Sequence, residues 1–189
     1  EAFPQVDLVN TRYQISGTRL TSAGAAPAIE MMLQLIRDRH GAGLAARIAA
    51  TVLGGGSSSR LFTQVRQERS LCYSVGAGHA ATRDHGLIRW HAGTTPDRAD
   101  ETVAVCLEEI DRMRQGIDRE EFDRAIARLR SSVVMHGESS RARARSLASD
   151  VFTLGQGRSL AAMRDEVEAA TLEEVNAWLE DGLDGASTL

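Results

Sequence analysis

Hydrophobic positions recur at helical spacing over most of the chain after residue 95, and polar residues mark where each predicted helix begins. The sequence Thr95-Pro96-Asp97 is typical of a helix start, with a capping residue, a first-turn proline and a first-turn acid. This first helix is expected to end at Gly116. Its apolar positions are Val103, Leu107, Ile110 and Met113.

Four further helical segments follow in the same part of the chain. Asp118 and Glu121 have the spacing of a capping box, and the helix that they begin has an apolar face formed by Phe122, Ile126, Leu129 and Val133. Ser139 or Ser140 is the expected cap of a third helix, which ends near Gly155 and has Leu147, Val151 and Leu154 on its apolar side. A short helix is predicted over residues 160–167. Thr171 and Glu174 cap the last one, which directs Val175 and Trp178 toward the core, and residues 181–189 are expected to be a tail.

Two strands are predicted earlier in the chain, at residues 72–80 and 86–94, and a separation this short favours an antiparallel hairpin. A short amphipathic helix is expected directly before the first strand, with Leu61 and Val65 on its apolar face and Arg66 at the edge of that face. Arg69 is expected to form a salt bridge at the helix end. The glycine-serine segment before this helix is interpreted as a flexible connection, with an anion site on its N–H groups as the alternative.

The first 48 residues have a different pattern. Two short strands are predicted around a turn at Ser16 and Gly17, and a helix that ends at Gly41 follows them. The predicted buried face of this helix consists of Ile29, Met32, Leu33 and Ile36. Because four such side chains expose much apolar surface, we expect the segment to pack against the sheet of the hairpin.

Composition narrows the function classes. The chain has 189 residues and a net charge of −4 without long charged blocks, which argues against a nucleic-acid partner. No apolar run approaches the length of a membrane span. All 22 basic residues are arginines, which excludes lysine Schiff-base chemistry and a phosphate-loop lysine in this chain. The two cysteines, Cys72 and Cys106, are expected in the core, with a disulfide or a reactive thiol as the alternatives.

The histidines do not form a recognisable zinc motif. None of the five lies in H-E-x-x-H or H-x-x-E-H, so a zinc site of two helical histidines is not predicted. His79 and His91 lie on the two predicted strands and would form a metal site with Asp84 if they faced one another, but a solvated strand surface is favoured. By itself the chain does not have the residues of a complete enzyme.

Four stretches resemble the C-terminal-type domain of the pitrilysin/insulinase family of zinc metallopeptidases, and together they cover about residues 49–180. They are "LGGGSSSRLFTQVRQERSLCYSVGAG", "HAGTTPDRADETV", "EFDRAIARLRSSVVMHGESSRARA" and "TLEEVNAWL". The resemblance implies an α+β fold in which an antiparallel sheet has helices on one face. It also implies a domain without catalytic residues or a metal site of its own, inactive alone, whose zinc is held by a partner domain or subunit.

The same resemblance assigns a role to two side chains seven positions apart, Arg66 and Tyr73. In that family an arginine and a tyrosine at these positions contact the bound peptide beside the zinc. We therefore expect peptide substrate and a zinc-bearing domain or subunit as partners, and no nucleic acid or membrane. Self-association into a homo-oligomer stays open. The compartment is also open, with the cytoplasm favoured.

Residues 1–48 separately resemble the last strands and helix of the PfpI-type, flavodoxin-like domain of AraC-type regulators. The stretch that has this resemblance begins "FPQVDLVNTRYQISGTRLTSAG", and neither the nucleophile region nor a DNA-binding helix-turn-helix accompanies it. This predicts a join between two folds near residues 42–50. Two alternative functions follow: a recombinant of two folds without activity of its own, or a sensor or interaction module.

Overall fold

The computed structural model describes residues 13–16, 19–22, 43–81 and 86–182. The chain divides into two compact units, Glu1–Gly41 and Ala42–Leu189. In the first unit, strands β1 (Tyr13–Ser16) and β2 (Arg19–Ser22) pair antiparallel, which confirms the two short strands predicted there. The helix predicted to end at Gly41, its expected packing and the last part of the predicted tail lie outside the described residues.

The second unit begins with helix α1, residues 43–54, which the sequence analysis did not predict. It runs across the predicted segment boundary at residue 48. Its buried residues are Leu44, Ala45, Ala46, Ile48, Ala49, Ala50, Val52 and Leu53. A helix that is apolar on nearly every side is typical of a core element.

The hairpin follows α1 and packs on it. Strands β3 (Ser74–Ala81) and β4 (Gly86–Gly93) pair antiparallel, as predicted. A methyl group on Gly54, the last residue of α1, would lie 2.2 Å from the backbone nitrogen of Ala77 in β3. Only a glycine therefore lets the end of this helix approach the strand so closely.

Helices form the rest of the unit, and none in the described residues combines the length and apolar character needed to cross a membrane. A 3-10 turn, Pro96–Arg98, leads into α2. The helices are α2 (Ala99–Met113), α3 (Arg119–Glu138), α4 (Ser140–Leu154), α5 (Leu160–Ala169) and α6 (Leu172–Gly182). This order of elements confirms the predicted α+β class.

The predicted starts of α3, α4, α5 and α6 are correct. The first predicted helix differs, because Thr95 precedes the 3-10 turn without a side-chain capping bond and α2 itself begins at Ala99. The apolar face predicted for the third helix is wrong. Ser139 caps α4 as expected, yet Leu147 and Val151 are exposed and Asp150 is the residue that α4 buries. Asp150 is 4% exposed and pairs with Arg158 at 2.7 Å, and Arg158 also binds Glu166 of α5. This charged network between α4 and α5 orients α4 in place of the apolar side chains.

Candidate functional site

Arg66 lies in a π-helix, Phe62–Glu68, which stands directly before the hairpin. The hydrophobic pattern predicts an amphipathic α-helix here. The burial of Leu61 and Val65 confirms the apolar face. The angular position expected for Arg66 is not valid, because the wider turns of a π-helix rotate the later side chains relative to an α-helix. Short π-helical segments are frequent at functional sites.

The side chain of Arg66 is exposed and stands over an aromatic ring. Its Cζ lies 4.9 Å from the ring centroid of Phe62, within the range of a cation–π interaction. This contact limits the freedom of a long side chain without occupying its N–H donors. The guanidinium is therefore held near the surface with donors available to a ligand.

Tyr73 lies just before β3, and the residue is 75% exposed. Burial raises the pKa of the neighbouring Cys72, and the positive charge of Arg66 acts in the opposite direction. The guanidinium of Arg66 therefore lies close enough to Cys72 to affect its thiol. The two predicted site residues come from two elements, the π-helix and the segment before β3, and both are exposed.

The connection between the two side chains is fixed by hydrogen bonds to its backbone. Leu71 N–H donates to the carbonyl of Val65 at 2.9 Å, and Tyr73 N–H donates to that of Gly93 at 3.0 Å. Arg98 Nη1 donates to Ser70 O at 2.7 Å. Ser70 adopts a φ of 53°, uncommon for a residue other than glycine.

The hydroxyl of Thr94 completes this set of contacts, since it donates to Leu71 O at 2.6 Å. Thr102 in α2 supports Thr94 at 3.2 Å between the two hydroxyl oxygens. We call this region the arginine–tyrosine corner: residues 62–74 together with residues 93–98. The supporting residues Gly93, Thr94 and Arg98 were missed by the sequence analysis, because their contacts join positions 20 or more residues apart.

Other sequence predictions have different outcomes. Arg69 forms the expected salt bridge, at 3.9 Å, and its partner is Glu108 in α2. His79 and His91 do not face one another: His79 is opposite Ile88, and His91 is opposite Gly76, so that the two rings lie on opposite faces of the hairpin. Asp84, the third member of that hypothetical site, lies outside the described residues.

Potential metal ligands and cysteines add no further site. Among the described residues, His, Cys, Asp and Glu side chains form no cluster of three that would hold a metal ion. Both cysteines are free, with Cys106 in the core. Burial, with smaller effects of Cys72 and Glu109, raises the pKa of Cys106 to about 11, so its thiolate is disfavoured at neutral pH.

Residues of α1, of the glycine-serine segment and of α3 line a small pocket, which the anion-site alternative would use. Its lining includes Ser58, Arg124 and Arg128, while Glu121 on the same wall pairs with Arg60 at 2.7 Å. The wall thus contains a carboxylate as well as cations. The anion site stays an alternative interpretation.

Comparisons with known proteins relate the chain to one family. The family model described as "Peptidase M16 inactive domain" matches residues 6–129. An uncharacterized zinc protease of Streptomyces coelicolor is 32% identical over 134 residues, which cover 70% of this chain and 29% of that protein. An uncharacterized zinc protease of Mycobacterium bovis is 35% identical over 128 residues, or 67% of this chain and 29% of that protein.

A solved structure agrees with this assignment at the level of the fold. The crystal structure of a peptidase M16 inactive domain from Pseudomonas fluorescens has a TM-score of 0.61 at 22% identity. The alignment covers 72% of this chain and 33% of that one. In all three comparisons the chain spans a third or less of the protein that it matches.

The family match bears on both resemblances found in the sequence. It confirms the resemblance to the zinc-free half of the metallopeptidases. Because it begins at residue 6, it also includes most of the segment that resembles a PfpI-type domain, and the join near residues 42–50 stays a hypothesis. With a matching family model over more than half of its length, the chain belongs to the Peptidase M16 inactive domain family.

Proposed function

We propose that this domain binds extended peptide substrate at Arg66 and Tyr73 and completes the active site of a zinc-bearing peptidase domain or subunit. One observation supports the proposal: two large polar side chains, Arg66 and Tyr73, are both exposed, and the backbone that connects them is fixed by hydrogen bonds. Exposed groups on a fixed backbone are suited to bind a ligand, because little conformational entropy is lost when the ligand arrives.

The chemistry of the two groups suits a peptide under attack by water. The Arg66 guanidinium donates hydrogen bonds to peptide carbonyls, and the Tyr73 phenol donates to an oxygen that gains negative charge in the transition state. Zinc, when bound in the partner domain, would supply the activated water. The relatives named zinc proteases are more than three times as long as the part that this chain matches, so there is room in them for such a domain.

The first prediction concerns the peptidase that carries this domain together with its zinc-bearing half. Tyr73→Phe should lower kcat by about 10²-fold, the usual effect of losing one transition-state donor. Arg66→Ala should lower kcat/KM, since a hydrogen bond to a charged group contributes roughly 1.5–3 kcal/mol. Turnover of an unstructured fluorescent peptide measures both effects.

Stability and a matched substitution serve as controls. Both variants should keep their unfolding free energy to within about 0.5 kcal/mol, as surface substitutions usually do. Arg89→Ala removes another exposed arginine, on β4, and should leave turnover unchanged. Full activity in both Arg66→Ala and Tyr73→Phe would overturn the proposal, and so would loss of folding in either.

A further inference from the structure

The ring of Tyr73 lies against the backbone of Gly93, the last residue of β4. A methyl group on Gly93 would lie 2.6 Å from Cζ and 2.8 Å from Cε1 of Tyr73. Carbon atoms that are not bonded prefer separations of about 3.5–4.0 Å. The phenol ring therefore occupies the space that any larger residue would need for its own Cβ.

The need for glycine at this position is steric and comes from the ring. Positive φ values among the described glycines occur at Gly116 and Gly155 and not at Gly93, so an alanine fits the backbone conformation there. The other close atom is the Ser74 hydroxyl, 2.7 Å from the same point, and a hydroxyl can rotate away. The tyrosine ring is the group that an added methyl would displace.

The backbone on both sides of the ring is fixed, so displacement has to occur in the side chain. Tyr73 N–H is bonded to Gly93 O, and the carbonyls of Ser70 and Leu71 accept from Arg98 and Thr94. With the backbone held, the ring can leave Gly93 only by changing its χ1 rotamer. A different χ1 rotamer moves the phenol oxygen to a different position on the surface of the domain.

We infer that Gly93 is a positioning residue, which seats the Tyr73 ring so that its hydroxyl points toward bound peptide. The role of Gly93 in turnover rests on the proposed function, but the contact between Gly93 and the Tyr73 ring can be tested in the free domain. The chain contains two tyrosines, Tyr13 and Tyr73, so fluorotyrosine labelling gives two ¹⁹F signals. Gly93→Ala should shift the Tyr73 signal and leave that of Tyr13 in place.

The chain offers a matched control in the same hairpin. Gly78 lies in β3, and a methyl group there would have no atom within 4 Å. Gly78→Ala should therefore leave the Tyr73 signal unchanged. An unshifted Tyr73 signal in folded Gly93→Ala would overturn the inference.

A measurement on the unchanged glycine covers the case in which Gly93→Ala does not fold. In the wild-type protein the ring should shift the two α-proton resonances of Gly93 by its ring current, and Tyr73→Leu should abolish this shift. Equal α-proton shifts in the two proteins would overturn the inference.

Turnover by the peptidase that carries the domain separates this inference from the proposed function. Gly93→Ala should lower kcat nearly as much as Tyr73→Phe, by about 10²-fold. The double variant should lose little more, because one substitution displaces the hydroxyl that the other removes. If Tyr73→Phe is slow and Gly93→Ala has full activity, the inference is wrong and the proposed function stands. If Tyr73→Phe and Arg66→Ala both have full activity, the proposed function fails, and the ¹⁹F signal alone decides whether Gly93 positions the ring.

Discussion

Two regions of the second unit use polar contacts in different ways. At the arginine–tyrosine corner, hydrogen bonds to the backbone carbonyls of Val65, Ser70, Leu71 and Gly93 hold the chain in place. Between α4 and α5 they join charged side chains, and the central carboxylate, Asp150, is 4% exposed. The first region fixes a backbone and leaves the side chains of Arg66 and Tyr73 in solvent. The second places its charges inside.

The difference separates side chains that can be removed from side chains that cannot. Removing an exposed group such as the Tyr73 hydroxyl leaves no buried atom without a partner. Removing one member of a buried ion pair leaves the other charged and desolvated, which costs far more than the pair itself contributes. We therefore expect substitutions at the corner to change turnover and substitutions between α4 and α5 to change stability.

The largest expected effect is that of Arg158→Ala. The substitution removes the ion pair of Asp150 and the hydrogen bond that Arg158 Nε donates to it, and it also removes the partner of Glu166. Loss of one partner from a buried pair typically costs about 3–5 kcal/mol. Urea unfolding should show a loss of this size. The control is Arg164→Ala, whose ion pair with Asp165 is exposed and should contribute less than about 1 kcal/mol. Equal losses in the two variants would remove the contrast between the regions.

Sequence reasoning succeeded where the structure is determined locally. The capping box of α3 is present as predicted: Asp118 N–H donates to Glu121 at 3.0 Å, and Glu121 N–H donates to Asp118 at 2.8 Å. Thr171 and Glu174 exchange the same two bonds at the start of α6. Both members of each box lie within one turn, so the sequence spacing already contains the geometry.

It failed where contacts distant in sequence decide the outcome. Helix α1 has only two polar side chains, Arg47 and Thr51, so its hydrophobic periodicity is weak. The spacing of Leu147 and Val151 predicted a buried apolar face for α4, but these two residues are exposed and α4 buries Asp150, which pairs with Arg158. At the corner the spacing of Arg66 and Tyr73 was visible, whereas the seat on Gly93 depends on a contact 20 positions away.

An intermediate effect is expected for Asp150→Asn, and it should depend on pH. Burial acts to raise the pKa of Asp150, but the hydrogen bonds from Arg158 outweigh it, and the net pKa is lowered. When folding lowers the pKa of a carboxyl group, that group stabilises the folded state at pH values above its pKa in the unfolded chain, which is about 3.9 for aspartate. The stabilisation is lost as the pH falls through the pKa that the group has in the folded state. The gap in unfolding free energy between wild type and variant should thus be roughly 1.5–3 kcal/mol near neutral pH and should narrow below about pH 4.

Urea unfolding of both proteins from neutral to acid pH measures this gap. Asp165→Asn is the matched control, since Asp165 is exposed and pairs at 3.4 Å with the exposed Arg164. Its gap should stay small at every pH. A gap for Asp150→Asn that is independent of pH would show that the variant acts by changing the packing and not by removing the charge.

The smallest expected effect belongs to the corner and is local. Arg98→Ala removes the hydrogen bond to Ser70 O, and a single exposed bond of this kind contributes about 0.5–1.5 kcal/mol. Its ion pair with Asp97, at 3.9 Å and exposed, should contribute little, so Asp97→Asn is the control. Because Arg98 holds the turn between Arg66 and Tyr73, hydrogen exchange should accelerate at the Leu71 and Tyr73 amides while α3 keeps its protection. Faster exchange in α3 as well would mean that Arg98 supports the whole fold, and the contrast between the two regions would not hold.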